Sequence, residues 1–144
     1  MTLMQLLMLH CDYFKYEAVE KTRISEDISI DRRRGEAYES VLVVFVCSER
    51  DDEKNPEIII EKTVNEVEDI VRRVKPKSII IHSFAHLSST LANPRFAKEI
   101  YDKLYNILSL KGYQVFKTPF GWRDSFELRV KSHPVSKVSR KITI

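Results

Sequence analysis

Val41-Leu-Val-Val-Phe-Val-Cys47, an Asn55-Pro56 pair opening a periodic segment that runs to Lys75-Pro76, and Ser78-Ile-Ile-Ile-His82 together decide the fold class. The first and last runs are short, almost wholly apolar and rich in β-branched residues, the pattern of buried strands. Between them, Asn55 is placed as an N-cap to accept a bond from an orphan backbone N–H. Pro56 at the first helical position forfeits no needed donor. Ile60, Val64, Val67, Val71 and Val74 recur at helical spacing opposite Glu61, Asn65, Glu68 and Arg72, which predicts one amphipathic helix. Lys75-Pro76 ends it. Strand, helix, strand implies a right-handed crossover and an α/β domain.

The same punctuation recurs downstream. Asn93-Pro94 starts a second helix with Phe96, Ile100, Leu104 and Ile107 toward the core, and Lys111-Gly112 closes it. Tyr113 to Thr118 reads as the next strand. Phe126, Leu128 and Val130 alternate with Glu127, Arg129 and Lys131, a strand with one buried and one wet face. Upstream, Leu3 to Tyr13 is a buried strand and Phe14 to Val19 is expected to pair back as a second one. Lys21 to Glu39 is polar, with Arg32-Arg33-Arg34-Gly35 as a turn. The expectation is a single domain over residues 1–144, α/β, with a mixed sheet of about five to six strands and two long helices.

With 43% hydrophobic and 31% charged residues and only three glycines, the chain has the composition of a compact, ordered protein. Met1 to Leu9 is apolar but lacks a basic leader, is too short to span a bilayer and runs into charged residues, so a cytoplasmic protein without membrane partners is expected. Cys11 and Cys47 form no CxxC pair, and both lie in apolar runs as small buried hydrophobes would. Glycines at 35, 112 and 121 permit neither a Walker A loop nor a dinucleotide fingerprint. GxSxG and HExxH are also absent, so no cofactor and no metal are expected. Arg95 to Ile144 carries 11 Lys and Arg against 4 acids, the asymmetry of a surface facing a polyanion or simply of a solvated face.

Two loops follow strands at their carboxyl ends, where open α/β sheets build sites. In Ser83 to Thr90, the imidazole of His86 beside Ser88 and Ser89 is suited to act as a base or to bind a ligand, although a lone loop histidine is more commonly structural. In Pro119-Phe-Gly-Trp-Arg-Asp124, Gly121 permits close backbone approach and Trp122 offers either a stacking surface for a base or the lid of a packed turn.

His10-Cys-Asp-Tyr13, Asp52-Glu-Lys-Asn-Pro56, Phe84-Ala-His-Leu-Ser-Ser89, Pro119-Phe-Gly-Trp122 and His133-Pro134 followed by Ser139-Arg140 occur in this order over nearly the whole chain. In these motifs the sequence resembles the N-terminal editing domain of archaeal threonyl-tRNA synthetases, related in fold to D-aminoacyl-tRNA deacylase. The resemblance implies hydrolysis of serine wrongly attached to threonine tRNA; the alternatives are a D-aminoacyl-tRNA deacylase and a catalytically silent tRNA-binding appendage. It implies as partners the tRNA acceptor end, synthetase catalytic and anticodon-binding domains in cis or in trans, and a second copy in a homodimer.

The resemblance also assigns a site. His86 matches a histidine that orients water or the terminal ribose. Phe84, Ala85, Val46, Cys47 and Ser48 match segments whose main chain lines the pocket, and Phe120, Gly121 and Trp122 complete the substrate-binding set. Where the family carries Tyr-Lys after the aromatic that follows Pro-Phe-Gly, this chain has Arg123-Asp124; where the family carries Glu in the His-Pro segment, it has Lys137. The inverted charges predict an Asp124–Lys137 ion pair, giving His86, Asp124, Lys137 and Arg123 as the catalytic set.

Overall fold

The computed structural model describes residues 1–144. Strand β1 spans Gln5–Glu20 and β2 spans Arg34–Cys47, then helix α1 covers Pro56–Val74, strand β3 Ser78–Ser83 and helix α2 Pro94–Leu110. Strands β4 (Val115–Lys117), β5 (Arg123–Val130) and β6 (Lys137–Lys141) complete the chain. One six-stranded sheet has the order β4-β3-β2-β1-β5, with β6 also pairing with β1. The β2–β3 and β3–β4 pairs, each joined through a helix, are parallel, and every pair made by β1 is antiparallel. The mixed sheet and two long helices are those the sequence leads one to expect.

The N-terminal third differs from expectation. Phe14 to Val19 does not fold back; it continues β1, whose two halves pair with β6 and then with β5. Nor do Arg32 to Gly35 form the turn. A short 3-10 turn covers Ile30–Arg32, and Arg34 and Gly35 already belong to β2, opposite Glu17 and Tyr16. Gly35 serves close approach instead: a Cβ there would lie 2.5 Å from the Tyr16 ring. The hairpin bends where Cys11 faces Val41 and Tyr13 faces Tyr38, so that Glu39 and Ser40 share one partner, Asp12. Both take left-handed φ, 60° and 78°, as a bulge demands.

Alternation sends Leu6, Met8, Leu42, Val44, Val46, Ile79 and Ile81 to one face of the sheet, beneath both helices. α1 contributes Ile59, Ile60, Val64, Val67 and Ile70, and α2 contributes Ile100, Tyr101, Leu104 and Leu108. On the other face Cys11, Phe14, Ala37, Val41, Val43, Phe45 and Ile80 form a smaller cluster. The start of α2 follows the sequence argument, with the Asn93 side chain accepting from the Arg95 amide at 2.9 Å. At α1 it does not: Asn55 makes no capping bond. The preceding Glu49 and Asp52 cap the 3-10 turn Arg50–Lys54 reciprocally instead.

Two of the sequence motifs meet at the bulge. His10, buried in β1, bonds through Nδ1 to His133 Nε2 and through Nε2 to Ser40 Oγ, both at 2.7 Å. They fasten the β5–β6 connection to the hairpin. The basic C-terminal segment is largely engaged within the molecule. Arg129 and Lys131 pair with Asp12, and Arg140 pairs with Glu66 and Asp69 of α1.

Candidate active site

A cavity of about 650 Å³ opens at the carboxyl ends of the parallel strands β2 and β3. The end of β2 forms one side of it. The Phe84 amide bonds the Val46 carbonyl at 2.9 Å, and the Ala92 amide bonds the Ser48 carbonyl at 3.2 Å, so the end of β2 is bracketed by the segments before and after the Ala85–Leu87 turn. Val46, Cys47 and Ser48 are buried, with little more than backbone to offer a ligand. Burial pushes the Cys47 thiol up to about 11, which keeps it protonated and unreactive.

Beneath this wall lie two carboxylates that are completely buried. Asp52 accepts from the Met4 amide (2.9 Å) and the Glu49 amide (2.8 Å). Glu49 accepts from Gln5 Nε2 (2.8 Å) and Thr90 Oγ1 (2.7 Å). This network ties the start of β1 and the end of β2 to the loop that carries Leu91 and Ala92 into the cavity.

His86 sits in the Ala85–Leu87 turn, exposed, its ring edge-on to Phe84 with centroids 5.1 Å apart. The opposite rim is the Pro119–Asp124 loop, which is fastened to residues 22–26. The Phe120 amide donates to Glu26 Oε2 (2.6 Å), the Glu26 amide to the Phe120 carbonyl (3.0 Å), and Trp122 Nε1–H to the Glu26 carbonyl (2.8 Å). Gly121 is required here, since its φ is +80° and a Cβ would strike the Ile24 carbonyl. Trp122 borders the cavity with Lys21 and Arg33 over its ring, so it caps a packed turn. Arg123 points to the exposed Glu20, 3.2 Å away.

Asp124, the second residue of β5, lies opposite Ala18, half-buried in the cavity wall. Burial raises its carboxyl above the ordinary range; its own amide and the charge of His86 oppose the shift. Its ionic neighbour is His82 Nε2 at 3.6 Å. The expected Asp124–Lys137 pair does not form. Lys137 lies on β6 outside the cavity, opposite Leu9, where its Nζ donates to the Lys131 carbonyl and the Ser136 hydroxyl. Strand pairing decides this, since β6 joins the first half of β1 while Asp124 joins the second.

His82 has no prominence in the sequence, because it closes the apolar run Ser78 to His82 and looks like a strand terminus. It is 2% exposed, lines the cavity, and is packed among Phe45, Phe84 and Phe126. Burial lowers its pKa to about 4, so it is neutral at physiological pH. Its Nδ1 meets Thr118 Oγ1 at 2.8 Å, and Thr118 in turn meets the buried Tyr101 hydroxyl. Phe126, expected on the buried face of β5, is 39% exposed because its ring borders the cavity. A polar residue closing an apolar run at a strand's carboxyl end was the available signal for His82. No group of three His, Cys, Asp or Glu side chains is arranged to hold a metal ion.

Residues 4–142 match the family described as the archaea-specific editing domain of threonyl-tRNA synthetase. The chain belongs to this family. The editing domain is 43% identical over 140 residues to a threonine–tRNA ligase of Methanosphaera stadtmanae, covering 97% of this chain and 23% of that protein. Corresponding ligases of Methanococcus aeolicus and Pyrococcus furiosus are 41% and 40% identical, with 22% of each protein covered. The chain thus spans about a fifth of the length of these relatives. In backbone, the editing domain is similar to the c-Myc DNA Unwinding Element Binding Protein, with a TM-score of 0.63 over 97% of this chain and 99% of that one; at 11% identity this shows the fold alone. The mixed α/β architecture, a six-stranded sheet with two helices, is therefore shared with that protein.

Proposed function

We propose that this editing domain hydrolyses serine from mischarged threonine tRNA. The observation that carries the reading is the convergence of the Val46–Ser48 main chain, Phe84, Ala85, His86 and the Phe120–Asp124 rim on one cavity, in a chain of the editing family. Such an activity meets a physical need. Serine is threonine without a methyl, and a synthetic site that binds the shared hydroxyl rejects the smaller substrate by only about 1–3 kcal/mol. A second site that cleaves the escaped ester restores accuracy.

The chemistry requires a positioned water, donors where negative charge develops on the ester carbonyl, and a base. His86 at the mouth orients water or the terminal ribose, whose hydroxyl supplies the base. Ala85 and His86 border the cavity, and the opening amides of their turn, which have no partner within it, are the donors assigned to the developing charge. Arg23 and Arg123 border the cavity and meet phosphates of the acceptor end. The setting is a cytoplasmic synthetase whose catalytic and anticodon-binding domains charge the tRNA, joined in cis or supplied in trans.

Release of amino acid from L-seryl-, D-seryl- and L-threonyl-tRNA(Thr) tests the reading. Rapid, His86-dependent release of L-serine with L-threonine spared is expected. Preferential release of D-serine would make the domain a D-aminoacyl-tRNA deacylase, and salt-sensitive tRNA binding without any release would make it a silent appendage.

A further inference from the structure

Asp124 is a carboxylate in the cavity wall, beside Phe84 and Phe126, and it has no lysine or arginine partner. Neither a lysine nor an arginine lies within ion-pair distance of it; Arg123 is turned to Glu20 and Lys137 is on another strand. Its one ionic contact within 4 Å, His82, is neutral, and at 3.6 Å its Nε2 is beyond a full hydrogen bond; His86, on the same cavity, acts on the carboxylate only through its charge at longer range. The tautomer follows from the surroundings. The Tyr101 hydroxyl, 2.7 Å from the Ile81 carbonyl and 2.8 Å from the Thr118 carbonyl, has one proton for the two, whereas the Asp124 carboxylate on the Nε2 side of His82 can only accept, which favours the ring proton on Nε2 and leaves Nδ1 to accept from the Thr118 hydroxyl. Neutral His82 then carries its proton on Nε2, facing Asp124. The histidine thus orients the carboxylate without neutralising it. A half-buried, oriented, unneutralised carboxylate in a cavity is complementary to a cation, and the substrate class proposed above carries one beside the scissile ester: the α-ammonium of the aminoacyl group.

We propose that Asp124, positioned by His82, receives the α-ammonium of the aminoacyl ester, so that the site acts only on esters with a free amino group. This inference rests on reading the cavity as an aminoacyl-ester site. Asp124 contacts substrate, whereas His82 acts through Asp124 and is a positioning residue. No proton need move between them. Phe84 and Phe126 form an apolar wall that strengthens the ammonium–carboxylate contact.

The test compares L-seryl- and N-acetyl-L-seryl-tRNA(Thr) as substrates, and the non-hydrolysable seryl-adenosine amide and its N-acetyl form as ligands in calorimetry. The wild-type domain is expected to prefer the free amine by at least about tenfold in kcat/KM and in affinity, the scale of one hydrogen-bonded charge. In Asp124→Asn this preference collapses, with the loss of activity carried mainly by KM. His82→Phe weakens the preference and His82→Gln, which keeps a donor near the Nε2 position, restores part of it. A purely structural role for His82 would lower activity toward both esters alike and leave the preference intact. Equal handling of free and acetylated forms by the wild-type domain, or a preference that survives in Asp124→Asn, overturns the inference. If the wild-type domain releases no serine at all, the proofreading reading fails, and the calorimetric preference alone decides the role of Asp124.

Discussion

Asp52→Ala probes the buried network that holds the cavity wall. The substitution strands the Met4 and Glu49 amides, both buried, at a cost of about 1–3 kcal/mol each. Relief of the burial penalty on the carboxyl offsets part of this, leaving an expected net loss of about 2–4 kcal/mol, a large share of the stability of a domain this size. The network also has a pH signature. Burial lifts the Asp52 carboxyl from 3.8 to about 6, so the folded state holds a proton that the unfolded chain releases. A carboxyl raised in the folded state contributes stability that is fully present below 3.8 and lost as pH rises through about 6. Between about pH 5 and pH 7.5, Asp52 should therefore withdraw roughly 1–2 kcal/mol from the wild-type domain and nothing from the variant. Urea unfolding of both proteins at the two pH values measures the difference. Parallel pH dependence in wild type and variant would refute the assignment of the proton to Asp52. Unchanged stability in the variant would refute the stranded donors.

Other expectations follow from the same contacts. Tyr101→Phe removes a buried hydroxyl held by the Ile81 and Thr118 carbonyls and should cost about 1–3 kcal/mol, read from thermal unfolding. Gly121→Ala forces a side chain into left-handed backbone and onto the Ile24 carbonyl. It should loosen the 22–26 segment, raising its amide exchange and the KM for seryl-tRNA while the far end of the sheet stays protected. Lys137→Ala, outside the cavity, should leave deacylation within about twofold of wild type, since surface changes away from such features are nearly silent. Because burial raises the Asp124 carboxyl, deacylation should fall on acidification at a higher pH than an ordinary carboxylate would allow, and this limb should vanish from the pH profile of Asp124→Asn.

The sequence by itself determined what depends on near neighbours along the chain. The apolar runs of β2 and β3, the period of α1 and α2 and the proline stops fix the elements, because burial on one face imposes a spacing that side chains cannot hide. Helix capping was legible at Asn93. At Asn55 it was not, since Glu49 and Asp52 cap a turn that propensity alone does not announce. The hairpin is not legible in the sequence because a left-handed bulge at Glu39–Ser40 and a glycine accommodating Tyr16 leave no distinctive local signal. His86, Phe84 and the Pro119–Trp122 loop stand out in the sequence through the motifs they occupy, and the structure places them around one cavity. Only the tertiary structure decided what faces Asp124. The β1–β5 register sets Asp124 beside Ala18, β3 brings His82 to it, and β6 carries Lys137 away along the other half of β1. Pairing between distant strands is a property of the sheet as a whole. Charge complementarity between two positions in the chain therefore could not reveal whether they meet.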